Sequence, residues 1–303
     1  MNIPRCSIHP LPDHQASFQI EGHERLRWHY DSKYPRPFLY PLIGPSGSSL
    51  TRMGHPGAPD HDHHRSIWFA HNKVLGIDFW SDKTKTFIRQ KQWLCYQDGN
   101  DECAMAVLLG WYDGHDPKEL LEQELIVGMR PGPDGETFVE LQSTFKPAGE
   151  MLEFGKTNFG FLAVRVAKSI SEFFGGGKLT NSEGATGEPA IFGKAAKWMD
   201  YSGPVPKGDV EGITFFDHPT NPGQPTKWHV REDGWMGASV CLDGPVNTTR
   251  KQPLMLRYLL HAHKGKVDAE RAEKVLKEFV ALPRYRVVKA TVKHTQWVIA
   301  RAG

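Results

Sequence analysis

The stretch "LLEQELIVGMRPGPDGETFVELQSTF", residues 120–145, joins two alternating runs through a segment dense in proline and glycine. In each run polar and apolar side chains alternate, which suits a pleated strand with one face buried. Residues 129–138, "MRPGPDGETF", supply the turn chemistry of a hairpin. Outward from this pair, "CAMAVLLGW" (103–111), "FGFLAVRVA" (159–167), "GITFF" (212–216) and "LMLRYLLHAH" (254–263) are further short apolar or alternating runs. Their spacing predicts an all-β chain folded as a large antiparallel β-sandwich rather than a repeated strand-helix-strand array. Residues 39–60, "LYPLIGPSGSSLTRMGHPGAPD", read as a loop crossing.

One short helix is predicted near the C-terminus, in "DAERAEKVLKEFV" (268–280). Asp268 is placed to cap it, and Ala272, Val275, Leu276 and Phe279 make a stripe that would cover a sheet. The following "RYRVVKATVKHTQWVIA" reads as two strand segments, forming a terminal hairpin or an edge for a homo-oligomer.

At 303 residues with 39% hydrophobic content, the chain can bury a large core, and we read residues 1–303 as one sandwich domain. Thirty-seven basic residues against 35 acidic ones give no electrostatic reason to expect nucleic acid or an anionic membrane as a partner. No 18-residue apolar run is present to span a bilayer. Cys6, Cys95, Cys103 and Cys241 form no CxxC pair, and the first residues lack the apolar core of a signal peptide, so a cytoplasmic location is expected.

Candidate chemistry begins in "PDHDHHRSIWFAHNKVLGIDFW" (59–80), with four histidines and three aspartates. His61, His63 and His64 offer imidazoles to zinc, iron, copper or nickel, whereas Asp60 and Asp62 suit harder ions. The spacing lacks the helical HExxH arrangement, so metal ligation, metal-free proton transfer and a structural role all stay open. If "HRSIWFAH" is a strand, His64, Ser66 and Trp68 face away from Ile67, Phe69 and His71. Trp68 and Trp80 are candidate platforms for a sugar face.

A second cluster is "FFDHPTNPGQPTKWHVREDGW" (215–235). Asp217 and His218 are candidates for proton transfer, although adjacent strand residues diverge unless a turn intervenes. Trp228, His229 and Arg231 add an aromatic surface, a donor or metal ligand, and an anion-binding group. In the third cluster, 254–263, Arg257, His261 and His263 share one strand face. That face is either solvated or contributes ligands to a site shared with the first cluster. Glu153, Asn158, Arg165, Asn181 and Glu183 are further candidate contacts, Glu183 as a general acid or base if buried. Neither a phosphate loop nor a GxSxG elbow is present.

The blocks "RPFLYPLIGPSG", "DHDHHRSIWFAHNKVLGIDFW", "RVA…LTNSEGATGE", "WMDYSG", "FFDHPTNPGQPTKWHVREDGW" and "LRYLLHAH" together resemble the PmoA-like family of unknown function. The resemblance runs from about Arg36 to Phe279, leaving 280–303 as a C-terminal extension. It implies a large sandwich of the galactose-mutarotase supersandwich type and a context in carbohydrate metabolism, and it carries no methane oxidation. The matching positions are His61, His63, His64, Arg65, His71, Asp78, Trp80, Asn181, Glu183, Asp200, Asp217, His218, Asn221, Trp228, His229 and His261. Where such proteins often carry His-Gly, this chain has Asn158-Phe159, which puts conserved activity in doubt.

The sequence therefore points to a carbohydrate-active enzyme, a hydrolase, lyase or epimerase. It would cleave or rearrange a glycoside or oxidised sugar through His64, Asp217, His218 and Glu183. Arg65, Trp68, Asn158, Arg165, Asn181, Trp228 and Arg257 are the expected substrate contacts. The alternatives are a metal hydrolase or oxygenase, with a divalent metal on His61, His63, His229 and His261, and a non-catalytic carbohydrate-binding protein.

Overall fold

In a computed structural model, which describes residues 3–55, 57–58 and 61–302, the hairpin read from the sequence is present and longer than expected. Leu121–Pro131 pairs antiparallel with Thr137–Pro147 in an unbroken register from Leu121↔Pro147 to Pro131↔Thr137. Asp134 (φ 52°) and Gly135 (φ 81°) turn the chain between them, in the left-handed region that glycine enters freely and aspartate tolerates.

Two eight-stranded sheets grow from such pairings. In hydrogen-bonded order the first runs Cys6–Leu11, Gln15–Ile20, His23–His29, Phe38–Leu42, Ile67–His71, Gly160–Arg165, Trp235–Ala238 and Trp228–Arg231. The second runs Lys178–Asn181, Trp198–Pro204, Val210–Asp217, Leu254–Lys264, Thr137–Pro147, Leu121–Pro131, Cys103–Tyr112 and Phe87–Gln97. Adjacent strands are antiparallel throughout both sheets. Alternation sends Ile67, Phe69, Leu162 and Val164 of the first sheet into one core with Leu125, Leu141, Leu256 and Leu260 of the second. All four cysteines are free thiols.

The same alternation creates two separate outer surfaces. Trp68, Ala70, Ala163 and Trp235 leave the first sheet outward and cluster with Trp80. Phe138, Trp198, Phe216 and Leu259 leave the second and are covered by Ala272, Val275, Leu276 and Phe279 of the helix Ala269–Ala281. Asp268 caps that helix by accepting from the Arg271 amide at 2.9 Å, so cap and stripe are those expected. The terminal run forms the hairpin Tyr285–Lys289 with Trp297–Arg301, which packs Tyr285 and Ile299 on Ala104, Ala106 and Ile126.

Residues 39–60 are not wholly a loop, because Phe38–Leu42 forms a strand despite Pro41. The missing amide is tolerated where pairing is sparse: this strand meets Ile67–His71 only at Leu39↔Ile67. The strand expected at 64–71 begins only at Ile67, since Ser66 takes φ 57° and turns the chain just before it.

Gly128 is where the terminal hairpin docks, for a methyl group there would collide with the Tyr285 hydroxyl. We expect Gly128→Ala to cost about 1–3 kcal/mol in urea unfolding by overpacking. In a Tyr285→Ala background that cost should largely vanish. Equal costs in the two backgrounds would show that the contact does not govern packing here.

Candidate functional site

The outward side chains of the first sheet become one wall of a cavity of about 330 Å³. Trp235, from the strand beside Gly160–Arg165, lies over Gly237, whose missing side chain leaves room for the indole. Trp68, Trp80 and Trp235 pack mutually with ring centroids 5.2–5.6 Å apart. Trp80 and Trp235 line the cavity, with Phe159 between Trp80 and His229. Trp68 lies beneath them as support.

The imidazoles come from two places. In the turn before Ile67, the His64 amide donates to the His61 carbonyl at 3.0 Å, and the Gly54 amide donates to the His64 carbonyl at 2.8 Å. This folds His61, His63 and His64 over the indoles, with ring centroids 4.3–5.9 Å apart. His229 arrives from the strand Trp228–Arg231, and both His64 (4.8 Å) and His229 (5.6 Å) pack against Trp235. Asn72, Asp78 and Ser81 add polar lining. One oxygen of Asp78 accepts from the amides of Trp80 (2.6 Å) and Ser81 (3.2 Å), fixing the turn that presents Trp80.

Charge at the site is organised by Asp233. Its carboxylate takes a two-pronged bond from the fully buried Arg165 guanidinium at 2.7 and 3.1 Å and a third from His55 Nε2 at 2.8 Å. Burial alone would raise the Asp233 carboxyl, but Arg165 and His55 hold it below the usual carboxylate range. Burial pushes His64 far down, reinforced by His63 and Arg165, and pushes His229 down to about 4, reinforced by Arg231. Both rings are neutral at neutral pH.

The remaining sequence candidates lie elsewhere or act differently. Arg65 is bound to Asp82, which also pairs with Arg36, and does not line the cavity. Asn158 contributes its carbonyl, which accepts from Ser239 Oγ at 2.7 Å and lies 3.2 Å from His229 Nδ1. Its neighbour Phe159 supplies the lining side chain. His71 points into the core against Phe154 and Phe161, as strand parity required. Asp62 is exposed, and Asp60 lies outside the described residues.

Asp217 and His218 diverge and do not reach the cavity. Asp217 is buried beside Asn221 Nδ2 at 2.7 Å, and desolvation raises its carboxyl to about 7. His218 sits in another groove between Thr220 Oγ1 (2.8 Å) and Arg257 Nη1 (3.1 Å), and burial then Arg257 lower it to about 4. Arg257 can only donate, so His218 Nε2 accepts from it, and the Thr220 amide donates to Nδ1 at 3.2 Å. Arg257 is further held by Glu140 at 2.7 Å. Trp228 is a core residue, edge-on to Phe215, with its indole N–H on the Ala196 carbonyl at 2.9 Å. Asn181 caps a local turn by accepting from the amides of Glu183 (3.0 Å) and Ala185 (2.9 Å), and Glu183 is exposed.

His261 and His263 do not join the first cluster. They leave the opposite sheet on its outer face, where His261 meets Glu136 at 2.7 Å and His263 meets Asp200 at 2.8 Å. The composite metal set of His61, His63, His229 and His261 therefore does not assemble. Among the described residues no group of three His, Cys, Asp or Glu side chains is disposed to hold a metal ion. Sequence reasoning missed His55, Asn72, Ser81, Phe159, Asp233 and Trp235. Parity could have found Trp235, because it pairs with Arg231 on the face that His229 shares.

Residues 15–277 match the model of a family of unknown function, DUF6807. The chain belongs to this family. No curated protein matches it. Among solved structures, the crystal structure of 4-alpha-glucanotransferase from Thermococcus litoralis matches with a TM-score of 0.34 and 9% identity, over 87% of this chain. The chain spans 40% of that structure's length. In this DUF6807 member, no helix among the described residues is long and apolar enough to cross a membrane.

The buried imidazoles set a pH dependence for stability. His71 is lowered to about 3 by burial, His218, His229 and His261 to about 4, and His64 in the same direction. The unfolded chain takes up these protons near 6.5 while the folded chain resists until about 4, so the stability is whole above 6.5 and drains away as pH falls. Asp217 acts oppositely, losing stability as pH rises from 3.8 to about 7, and Glu124, Glu172 and Glu211 are raised by burial in the same sense. By contrast, His29 and His55 are lowered with the other rings, and Glu136, Asp82 and Asp233 are held low and lose stability as pH falls. The thermal midpoint is expected to fall steadily from pH 6.5 to 4. A flat profile would contradict buried neutral rings.

Proposed function

We propose that this protein is a carbohydrate-active enzyme that rearranges a sugar or oxidised sugar by proton transfer, with His64 and His229 as the transferring groups. The observation that carries this reading is one cavity in which two buried neutral imidazoles flank an indole surface. Trp80 and Trp235 would cover the C–H face of a sugar ring, while Asn72, Asp78 and Ser81 hold its hydroxyls. A neutral imidazole accepts a proton from an acidified C–H or hydroxyl and becomes imidazolium, and the same ring then returns that proton to the rearranged sugar, so each ring begins and ends neutral. The Asp233–His55 pair would fix the loop that carries His61 and His64.

Cleavage by two carboxylates is the weaker form of this proposal. It needs one carboxyl protonated at neutral pH, yet Asp233 is held ionised and one Asp78 oxygen is committed to two backbone amides. The galactose-mutarotase type of supersandwich, and a place for the chain in carbohydrate metabolism, belong to the same proposal. The substitution at Asn158-Phe159 is accommodated in it, because Phe159 packs on His229 rather than removing a reacting group.

Deuterium exchange into a panel of aldoses, keto-sugars and sugar acids, followed by proton NMR, tests the reading. We expect turnover of at least one member. His229→Asn should reduce it by about 10²-fold or more, and Trp80→Ala should raise KM by about tenfold through loss of the platform. Asp217→Asn should leave turnover within about threefold. Binding without exchange or bond cleavage would favour a non-catalytic binding protein. A stoichiometric metal in the native protein whose removal abolishes turnover would favour the metal-dependent alternative.

A further inference from the structure

The outer face of the second sheet carries its own cavity, of about 610 Å³, which the proposed reaction does not use. On Trp198–Pro204, alternation turns Met199 and Tyr201 into the core and Trp198, Asp200 and Ser202 outward toward this space. Lys178 and Thr180 come from the edge strand Lys178–Asn181, and Lys266 and Val267 from the segment entering the C-terminal helix. Glycine makes the close approach possible, since a Cβ on Gly203 would meet Gly177 Cα at 2.7 Å.

The charges in this cavity do not balance. Asp200 is fully buried and its carboxylate is saturated: one oxygen accepts from Ser202, the other from Thr214 Oγ1 and His263 Nε2, both at 2.8 Å. Its negative charge is thereby paired internally. Lys178 and Lys266 are both exposed, and neither has an acidic partner among the described residues. The lining is otherwise largely apolar, with Trp198 and Val267, and carries the hydroxyls of Thr180 and Ser182.

We propose that this cavity is a second binding site, for a carboxylated sugar. The two lysines receive the carboxylate, the hydroxyl side chains receive ring hydroxyls, and Val267 with Val210 and Pro204 covers the C–H face. The site lies across the core from the His64–His229 cavity, so its occupancy is independent of the chemistry proposed there. Asn181, a motif residue that the first cavity left without a role, lines it by building the turn 181–185.

The test is calorimetric titration at low salt with D-glucuronate, D-glucose and acetate as probes, in a Trp80→Ala chain whose first cavity is impaired. Glucuronate is expected to bind, with glucose and acetate each about tenfold weaker or more. Adding Lys178→Gln and Lys266→Gln should weaken glucuronate by about tenfold or more without moving the thermal midpoint, since both side chains are exposed. Equal affinity with and without the lysines overturns the proposal, as does glucuronate binding that needs Trp80. Failure of glucuronate to bind also overturns it, and leaves the reaction proposed for the first cavity untouched.

Discussion

A guanidinium with no solvent exposure sits at the end of the strand Gly160–Arg165, and Asp233 grips it at two points. Removing one partner of such a buried pair typically costs about 3–5 kcal/mol, because the other is left uncompensated. Here the pair does more than neutralise a charge. Asp233 also holds His55, and the Asp233 carbonyl accepts from Arg52 Nη2 at 2.8 Å, so the 52–55 segment is tied to the turn before Trp235. The Gly54 amide then reaches the His64 carbonyl. One ion pair thus links three chain segments whose side chains make the cavity.

The sandwich explains why that cavity is polar and aromatic rather than a continuation of the core. A two-residue period fills the space between the sheets with aliphatic and aromatic side chains, and whatever alternates with them must face outward. On the first sheet the outward residues are tryptophans and a histidine without a helix above them, so the turn bearing His61, His63 and His64 closes over them. On the second sheet the outward residues are covered largely by the C-terminal helix, which leaves the cavity beside Lys178 and Lys266 at its entrance.

Much of this was legible from periodicity. The hairpin at 120–145, the Asp268 cap, the helical stripe and the inward direction of His71 follow from local spacing, whereas His64 lies in the turn before the strand and is placed by that turn. Parity also contained a warning about Trp228 and His229: consecutive strand residues face opposite ways, so only one could reach a given site. What spacing could not supply was which outer face each strand joins. His261 shares a residue type with the first cluster, but its strand lies in the other sheet with the whole core between. Asp217 looked reactive because it is acidic beside a histidine, whereas its strand buries it among apolar residues and sends His218 the other way. His55 and Asp233 lie in turns without periodicity, and their pairing spans 178 positions of sequence, so no local pattern could reveal it.

The sugar chemistry we propose takes place in the cavity bounded by His64, His229, Trp80 and Trp235 and nowhere else on the protein. Imidazole nitrogen NMR during titration with the turned-over sugar reads it most directly. The resonances of His64 and His229 are predicted to shift with saturation, while those of His71 and His218, locked in the core and by Arg257, stay fixed. Saturable shifts at His218 with His64 and His229 unmoved would contradict the account.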